Sequence, residues 1–201
     1  KRHELDRTAA RKLMSETPDV DFGPLQSLIG VWKGGKGVDI APEPDEAETN
    51  PYFETITYEA VGGVRNAGIQ NLAAIHYRQI VQRQSNGEIF HHQAGYWMWD
   101  RENQTVMHSL IIPRAVCVLA GGKYLGQTDA DGRVVMAVAA RLGDDDWTIT
   151  QSPFMRENAA TTAFRQDITV GKDTLIYSQT TMLKIYGKTF EHTDQNELVG
   201  A

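Results

Sequence analysis

The sequence predicts an all-β protein: roughly ten antiparallel strands in up-and-down order, closed into a barrel around a small ligand. Three observations lead there. The segment Phe90 to Asp100 (FHHQAGYWMWD) reads as a strand and not a helix, as does Gly30-Val31-Trp32 upstream. From Gly30 onward apolar and β-branched runs recur, separated by explicit turn residues. The connections are short, so chain neighbours pair antiparallel.

The elements follow in order. Leu5, Ala9, Leu13 and Met14 have helical spacing, so residues 4–14 are expected to form a short amphipathic helix that Pro18 and the 19–24 stretch end. Leu25 to Ile29 is expected to be a helical turn plugging one end of the barrel. Strands are placed near 30–40, 52–61, 71–83, 89–99, 105–112, 115–125, 133–142, 147–152, 161–170 and 174–186, with a short closing strand after Gly187. Ser85-Asn86-Gly87 marks a tight hairpin. Longer turns lie at 100–104, 129–132, 143–146 and 171–173. Residues 41–51 (APEPDEAETNP) are expected to form an acidic loop, too rich in proline for a ladder. Gly62-Gly63 and Gly121-Gly122 read as bulges or turns. The organisation expected is a helical extension over 1–23 and one barrel domain over 24–201.

Bulk properties exclude several function classes. A net charge of −6 argues against a phosphate-binding surface and against docking on anionic lipid. There is no run of about 20 apolar residues of the kind that spans a bilayer as a helix. The N-terminal segment has charges throughout and no apolar stretch of a signal peptide, so the expected compartment is the cytoplasm. Cys117, the single cysteine, allows no intrachain disulfide or cysteine-based zinc cluster, and its apolar run suggests a buried, inert thiol.

Val134, Met136, Val138 and Leu142 fall on one strand face, and Val135, Ala137 and Ala139 on the other. Two apolar faces imply a covered outer wall or a dry lumen in which the alanines leave room for a ligand. They also suit a homodimer interface.

The candidate chemistry rests on histidines. His91 and His92 are adjacent on one strand, so they point to opposite faces and cannot share a metal. His108 has the parity of Val106 and Leu110 and is expected to face in. His76 reads as a structural group, and His3 as exposed. His192, after the last long strand, can reach the barrel mouth. On spacing alone it reads first as a capping histidine bonded to Thr193 or Asp194. The alternative is that it offers its imidazole to an iron, with Asp194 or Glu191 as acceptor for the second nitrogen. Trp97 and Trp99 share parity, and Trp32 reads as a base plug. The triplet Asp144-Asp145-Asp146 reads as a solvated hairpin tip. No nucleophile elbow, phosphate loop or zinc-helix motif occurs.

The run Leu28-Ile29-Gly30-Val31-Trp32-Lys33-Gly34, with Gly37, resembles the opening strand of the nitrobindin-like haem-binding β-barrels, which are related in shape to lipocalins and fatty-acid-binding proteins. Phe53 to Glu59 is similar to their second strand, and His91 to Tyr96 to their histidine-to-glycine strand. The element around His192 is similar to their closing strand. The resemblance covers nearly the whole chain from about Pro24. It implies an apolar lumen holding ferric haem b through one histidine, which by position is His192. It also implies an open iron face that meets nitric oxide or peroxynitrite, including isomerisation of peroxynitrite to nitrate. Trp97, Met98 and His108 are the remaining candidates for contact with the cofactor. One departure is clear: typical members continue from the histidine with alternating apolar and basic residues, whereas here Thr193 to Glu197 is polar.

Other function classes remain. The barrel could carry an apolar small molecule such as a fatty acid, with an inward Arg78, Arg114 or Arg165 holding a carboxylate head. A cofactor-free enzyme would use a lumen histidine as acid and base, but no paired carboxylate is visible in the sequence to support one.

Overall fold

The computed structural model describes residues 20–201. The helix expected over 4–14 lies outside the described residues. A 3-10 helix, Gly23–Leu28, precedes eleven strands. These are β1 (Gly30–Pro42), β2 (Ala47–Asn66), β3 (Gln70–Arg83), β4 (Ile89–Asp100), β5 (Thr105–Ile112), β6 (Val116–Lys123), β7 (Val134–Arg141), β8 (Ile149–Gln151), β9 (Ala159–Val170), β10 (Thr174–Ile185) and β11 (Lys188–Gly200). A short helix, α1 (Pro153–Asn158), follows β8. All strand pairs are antiparallel, in the order β5-β4-β3-β2-β1-β11-β10-β9-β7-β6, and a β5–β6 pairing closes the barrel. Three-residue β8 adds to the outer half of β6. Among the described residues no helix is long and apolar enough to cross a membrane.

Several expectations change. The loop over 41–51 is mostly ladder: β1 and β2 pair as far as Pro42 and Ala47, leaving only residues 43–46 as a turn. Pro51 is tolerated opposite Val38, beside the register shift between Gly34 and Gly37. The closing strand is long, with 13 residues. Helix α1 was not legible; Ser152 caps it by accepting from the Met155 N–H at 3.3 Å. Cys117 is exposed, because Val116, Val118 and Ala120 take the inward positions of β6. The same parity turns Ala137 and Ala139 outward, so they leave no room in the lumen. Gly62 is a bulge, with φ of 114° at a register shift, whereas Gly121 and Gly122 continue β6 as strand.

Strand alternation builds the interior in three tiers. Along β11 the inward residues run Leu198, Asn196, Asp194, His192. Along β2 they run Tyr58, Ile56, Glu54, Tyr52, Asn50. The base tier is apolar. Leu25 and Leu28 of the 3-10 helix are fully buried against Trp32, Trp97, Trp99 and Leu198. Trp32 donates its indole N–H to the Leu28 carbonyl at 2.7 Å, which ties the plug to β1. The middle tier is polar, and the upper tier opens into a cavity.

Close backbone approach fixes the waist of the barrel. A Cβ on Gly95 would lie 1.9 Å from the Ser109 carbonyl oxygen on β5. Gly95→Ala is therefore expected to destabilise the fold by about 1–3 kcal/mol or more. Gly200→Ala, where a Cβ meets nothing within 4 Å, is the neutral control. Urea unfolding midpoints of the two variants check this.

Candidate functional site

The upper tier encloses a cavity of about 340 Å³. Its wall is apolar on one side, where β3 to β6 and β9 contribute Val81, Phe90, Leu110, Ile112, Val116, Val118 and Phe164. Met155 of α1 and Leu183 and Ile185 of β10 complete that side. The opposite side is polar: Asp39, Glu48, Asn50, His192 and Asp194. His91, Arg83 and Arg114 also line it, and Tyr52, Gln79, Gln93 and Tyr177 form the floor.

The polar side is made by pairing of the first and last strands. In the β1–β11 ladder Asp39 faces Asp194, and His192 lies two residues further towards the mouth on the same face. His192 Nε2 lies 2.6 Å from Asp39 Oδ1 and 3.8 Å from Asp194 Oδ2. Asn50 Nδ2 donates to Asp39 Oδ2 at 3.3 Å and to Glu48 Oε2 at 3.0 Å. Burial by itself would lower the His192 pKa. The Asp39 hydrogen bond and the charges of Asp194 and Asp39 outweigh it and hold the imidazole above its ordinary value. Burial would likewise raise Asp39, but its bond to His192 leaves it below the usual carboxylate range. Asp194 is pushed up to about 7, mainly by burial and against the attraction of His192. The three side chains place their ligand atoms within 4.8 Å of one another. The fold thus creates the paired carboxylates that the sequence did not display.

Beneath the cavity Glu54 is 3% exposed. Gln79 Nε2 donates to its Oε1 at 2.5 Å, and Asn196 Nδ2 to its Oε2 at 2.7 Å. Tyr177 donates its hydroxyl to the same carboxylate at 3.0 Å. A hydroxyl has one proton, so at the 2.7 Å contact between the phenols Tyr52 donates and Tyr177 accepts. Burial dominates over these three donors and pushes Glu54 up to about 7.

The residues singled out from sequence separate in space. His192 faces the cavity. His91 does too, with Nε2 3.3 Å from Gln93 Oε1, while His92 is exposed on the other face. Trp97 and His108 face inward but belong to the base tier and do not line the cavity. Their rings stack 4.1 Å apart at 11°, and His108 Nε2 lies 2.8 Å from the Tyr77 hydroxyl. Burial lowers the His108 pKa to about 3, so it is a neutral core imidazole. Met98 lies between inward Trp97 and Trp99 and therefore points to the outer wall, opposite Met107. His76 sits 3.6 Å from Glu59 at the surface. The acceptor for His192 is Asp39, neither Asp194 nor Glu191 as expected. Asp39, Tyr52, Glu54 and Asn196 were missed, because only pairing across the sheet gives them partners. Their period-two spacing along β2 and β11 was the one local signal.

These shifts set a pH dependence of stability. Glu54 and Asp194 are raised, so the folded state keeps protons that the unfolded chain releases above about 4 to 4.5. That stability is lost as pH rises towards 7. His192, also raised, stabilises fully below its unfolded value of 6.5 and loses this as pH rises through its folded value. Asp39 is lowered, so its contribution disappears only in acid. The melting temperature is therefore expected to peak near about pH 4 and fall towards pH 8. Glu54→Gln should flatten the fall by about 3 kcal/mol, the linkage value of its shift. Thermal melts across that range check both.

Comparison with known proteins agrees with this architecture. A search of curated proteins matches none. Among solved structures, the chain is similar to the crystal structure of Rv2717c from M. tuberculosis. The two share 18% sequence identity over 90% of this chain and 99% of that one, with a TM-score of 0.64, which establishes a common fold. The family model described as the THAP4-like, heme-binding beta-barrel domain matches residues 21–199. The closed barrel, its ligand-sized cavity and this match together mean that the chain belongs to the family of THAP4-like haem-binding β-barrel domains.

Proposed function

We propose that the barrel binds haem b, which His192 would hold through its imidazole, and that it acts on nitric oxide or peroxynitrite. One observation carries the reading: His192 faces the cavity and Asp39 accepts from its Nε2 at 2.6 Å. A metal-ligating histidine needs one nitrogen aimed at the metal and the other donating to a fixed acceptor. Asp39 is that acceptor, itself 5% exposed and held by Asn50. Nδ1 would then be the nitrogen left to hold the iron once the imidazolium has lost a proton. The residues therefore fit the group.

Bound haem would supply the iron at which such small oxidants and gases react. The chain supplies the surroundings. Asp39 keeps the Nε2 proton in place and fixes the ring orientation. Val81, Leu110, Val118 and Phe164 offer apolar surface and exclude water. The cavity lies at the lower end of the range for ligand pockets, about 300–1,000 Å³, and opens at the mouth. The lumen departs from the uniformly apolar one the resemblance implies, since Tyr52, Gln79 and Tyr177 present polar groups at its floor.

The same division supports a second reading, a non-haem carrier. An apolar wall over a hydroxyl-bearing floor suits an amphipathic molecule such as a fatty acid. Native mass spectrometry of freshly purified protein would show a co-purified lipid in that case.

Hemin titration tests the first reading. Wild-type protein should give a saturable one-to-one Soret change that His192→Ala abolishes. Asp39→Asn should weaken binding by about 10-fold or more, the usual cost of removing an outer-shell acceptor. The haem reading fails if no saturable change occurs, or if the change is indifferent to His192.

A further inference from the structure

We propose that Arg114 is the anchor for an anionic group, a carboxylate, on the molecule that occupies the barrel. This deepens the proposed function and rests on its reading of the cavity as a ligand site.

Most charges that line the cavity already have side-chain partners, and Glu43 is exposed on the turn between β1 and β2. Asp39 is bonded to His192 and Asn50, and Glu48 to Asn50. Asp194 accepts from Gln179 Nε2 at 3.4 Å. Arg83 donates to Asn50, lies 3.9 Å from Glu88 and packs 4.6 Å over the Phe90 ring. Arg114 is different. Among the described residues it makes no hydrogen bond or ion pair, although it lines the cavity. Its charge reaches two other lining groups, His91 and His192, and acts to lower the pKa of each. Arg114 is exposed at the rim, and a guanidinium that lines the cavity there without an acid bonded to it is available to an anion brought by the occupant.

Its backbone is held in place. Arg114 is in the three-residue turn between β5 and β6, after Pro113, whose ring fixes φ. Ala115 has φ of 58°, and its N–H closes the turn on the Ile112 carbonyl at 3.2 Å. The Ala115 carbonyl accepts from the Ser152 N–H at 3.0 Å, which joins the turn to the start of α1. The anchor is therefore fixed at the rim while its side chain spans to the cavity. Arg78 and Arg165, the other two arginines suggested by sequence, are exposed like Arg114 but do not line the cavity, and Arg165 pairs with Asp167 at 2.5 Å. The ligand class that follows has an apolar body for the Val81–Phe164 side and a carboxylate at the mouth.

The test compares a carboxylic acid with its ester on the full chain. Wild-type protein and Arg114→Gln are titrated with hemin and with hemin dimethyl ester, read at the Soret band. Wild type should prefer the free acid by about fivefold or more, the scale of one charge-assisted pair at a partly wet mouth. Arg114→Gln should remove that preference and leave ester affinity unchanged. Equal affinity of wild type for acid and ester overturns the proposal. So does equal weakening of both ligands in the variant, which would make Arg114 a structural part of the rim. If hemin gives no saturable change, the haem reading has failed and Arg114 is judged on a second pair. A fluorescent polyene fatty acid and its methyl ester then replace hemin under the same criterion. Absence of a preference there, or of any binding, overturns the anchor as well.

Discussion

Asp39 and His192 are 153 positions apart and meet at 2.6 Å because the first and last strands of the barrel are neighbours. That pairing brings Asp39 against Asp194 and sets Asn196 over Glu54. A slip of one residue in the β1–β11 ladder would turn His192 and Asp194 to the outer wall and bring Thr193 and Gln195 inside. The site therefore depends on register. Register is in turn held by the base, where Trp32, Leu28 and Leu198 must all face inward for the apolar tier to fill.

The polar middle tier sets the electrostatics above it. Glu54 lies one hydrogen bond below the cavity floor and receives three donors, yet burial keeps it close to neutrality in charge preference, at about 7. Its neighbours Tyr52 and Tyr177 line the cavity directly. A buried acid in this setting orients the Tyr177 hydroxyl, which donates to it and can then only accept at its contact with Tyr52, while Tyr52 also has the Gln195 carbonyl within reach at 3.2 Å. Orientation of floor dipoles is thus linked to the protonation of a residue that no ligand touches.

Much of the fold was legible locally. Turn residues such as Asn86-Gly87 and the apolar run over 134–140 place strand ends within a few residues. The parity argument that separates His91 from His92 needs only the two-residue repeat of a strand. What local reading missed was depth along the strand. Trp97 and His108 do face inward, but parity cannot tell a base position from a cavity position. Met98 was misplaced where parity was available and would have sent it outward. The 41–51 segment was misread because proline was weighed as a breaker, while a bulge and an edge-compatible site allow Pro51 to stay in β2.

By itself the sequence determined the strands, their alternation, the helical plug and the choice of His192 as the histidine to watch. These depend on residue type and spacing over a few positions. Only the tertiary structure decided the partner of His192, the pairing of Asp39 with Asp194, the burial of Glu54 and which arginines, Arg83 and Arg114, line the cavity. Each is set by which strands become neighbours and at what height their side chains meet. Those are properties of the closed sheet, between residues far apart in the chain, and no local pattern encodes them.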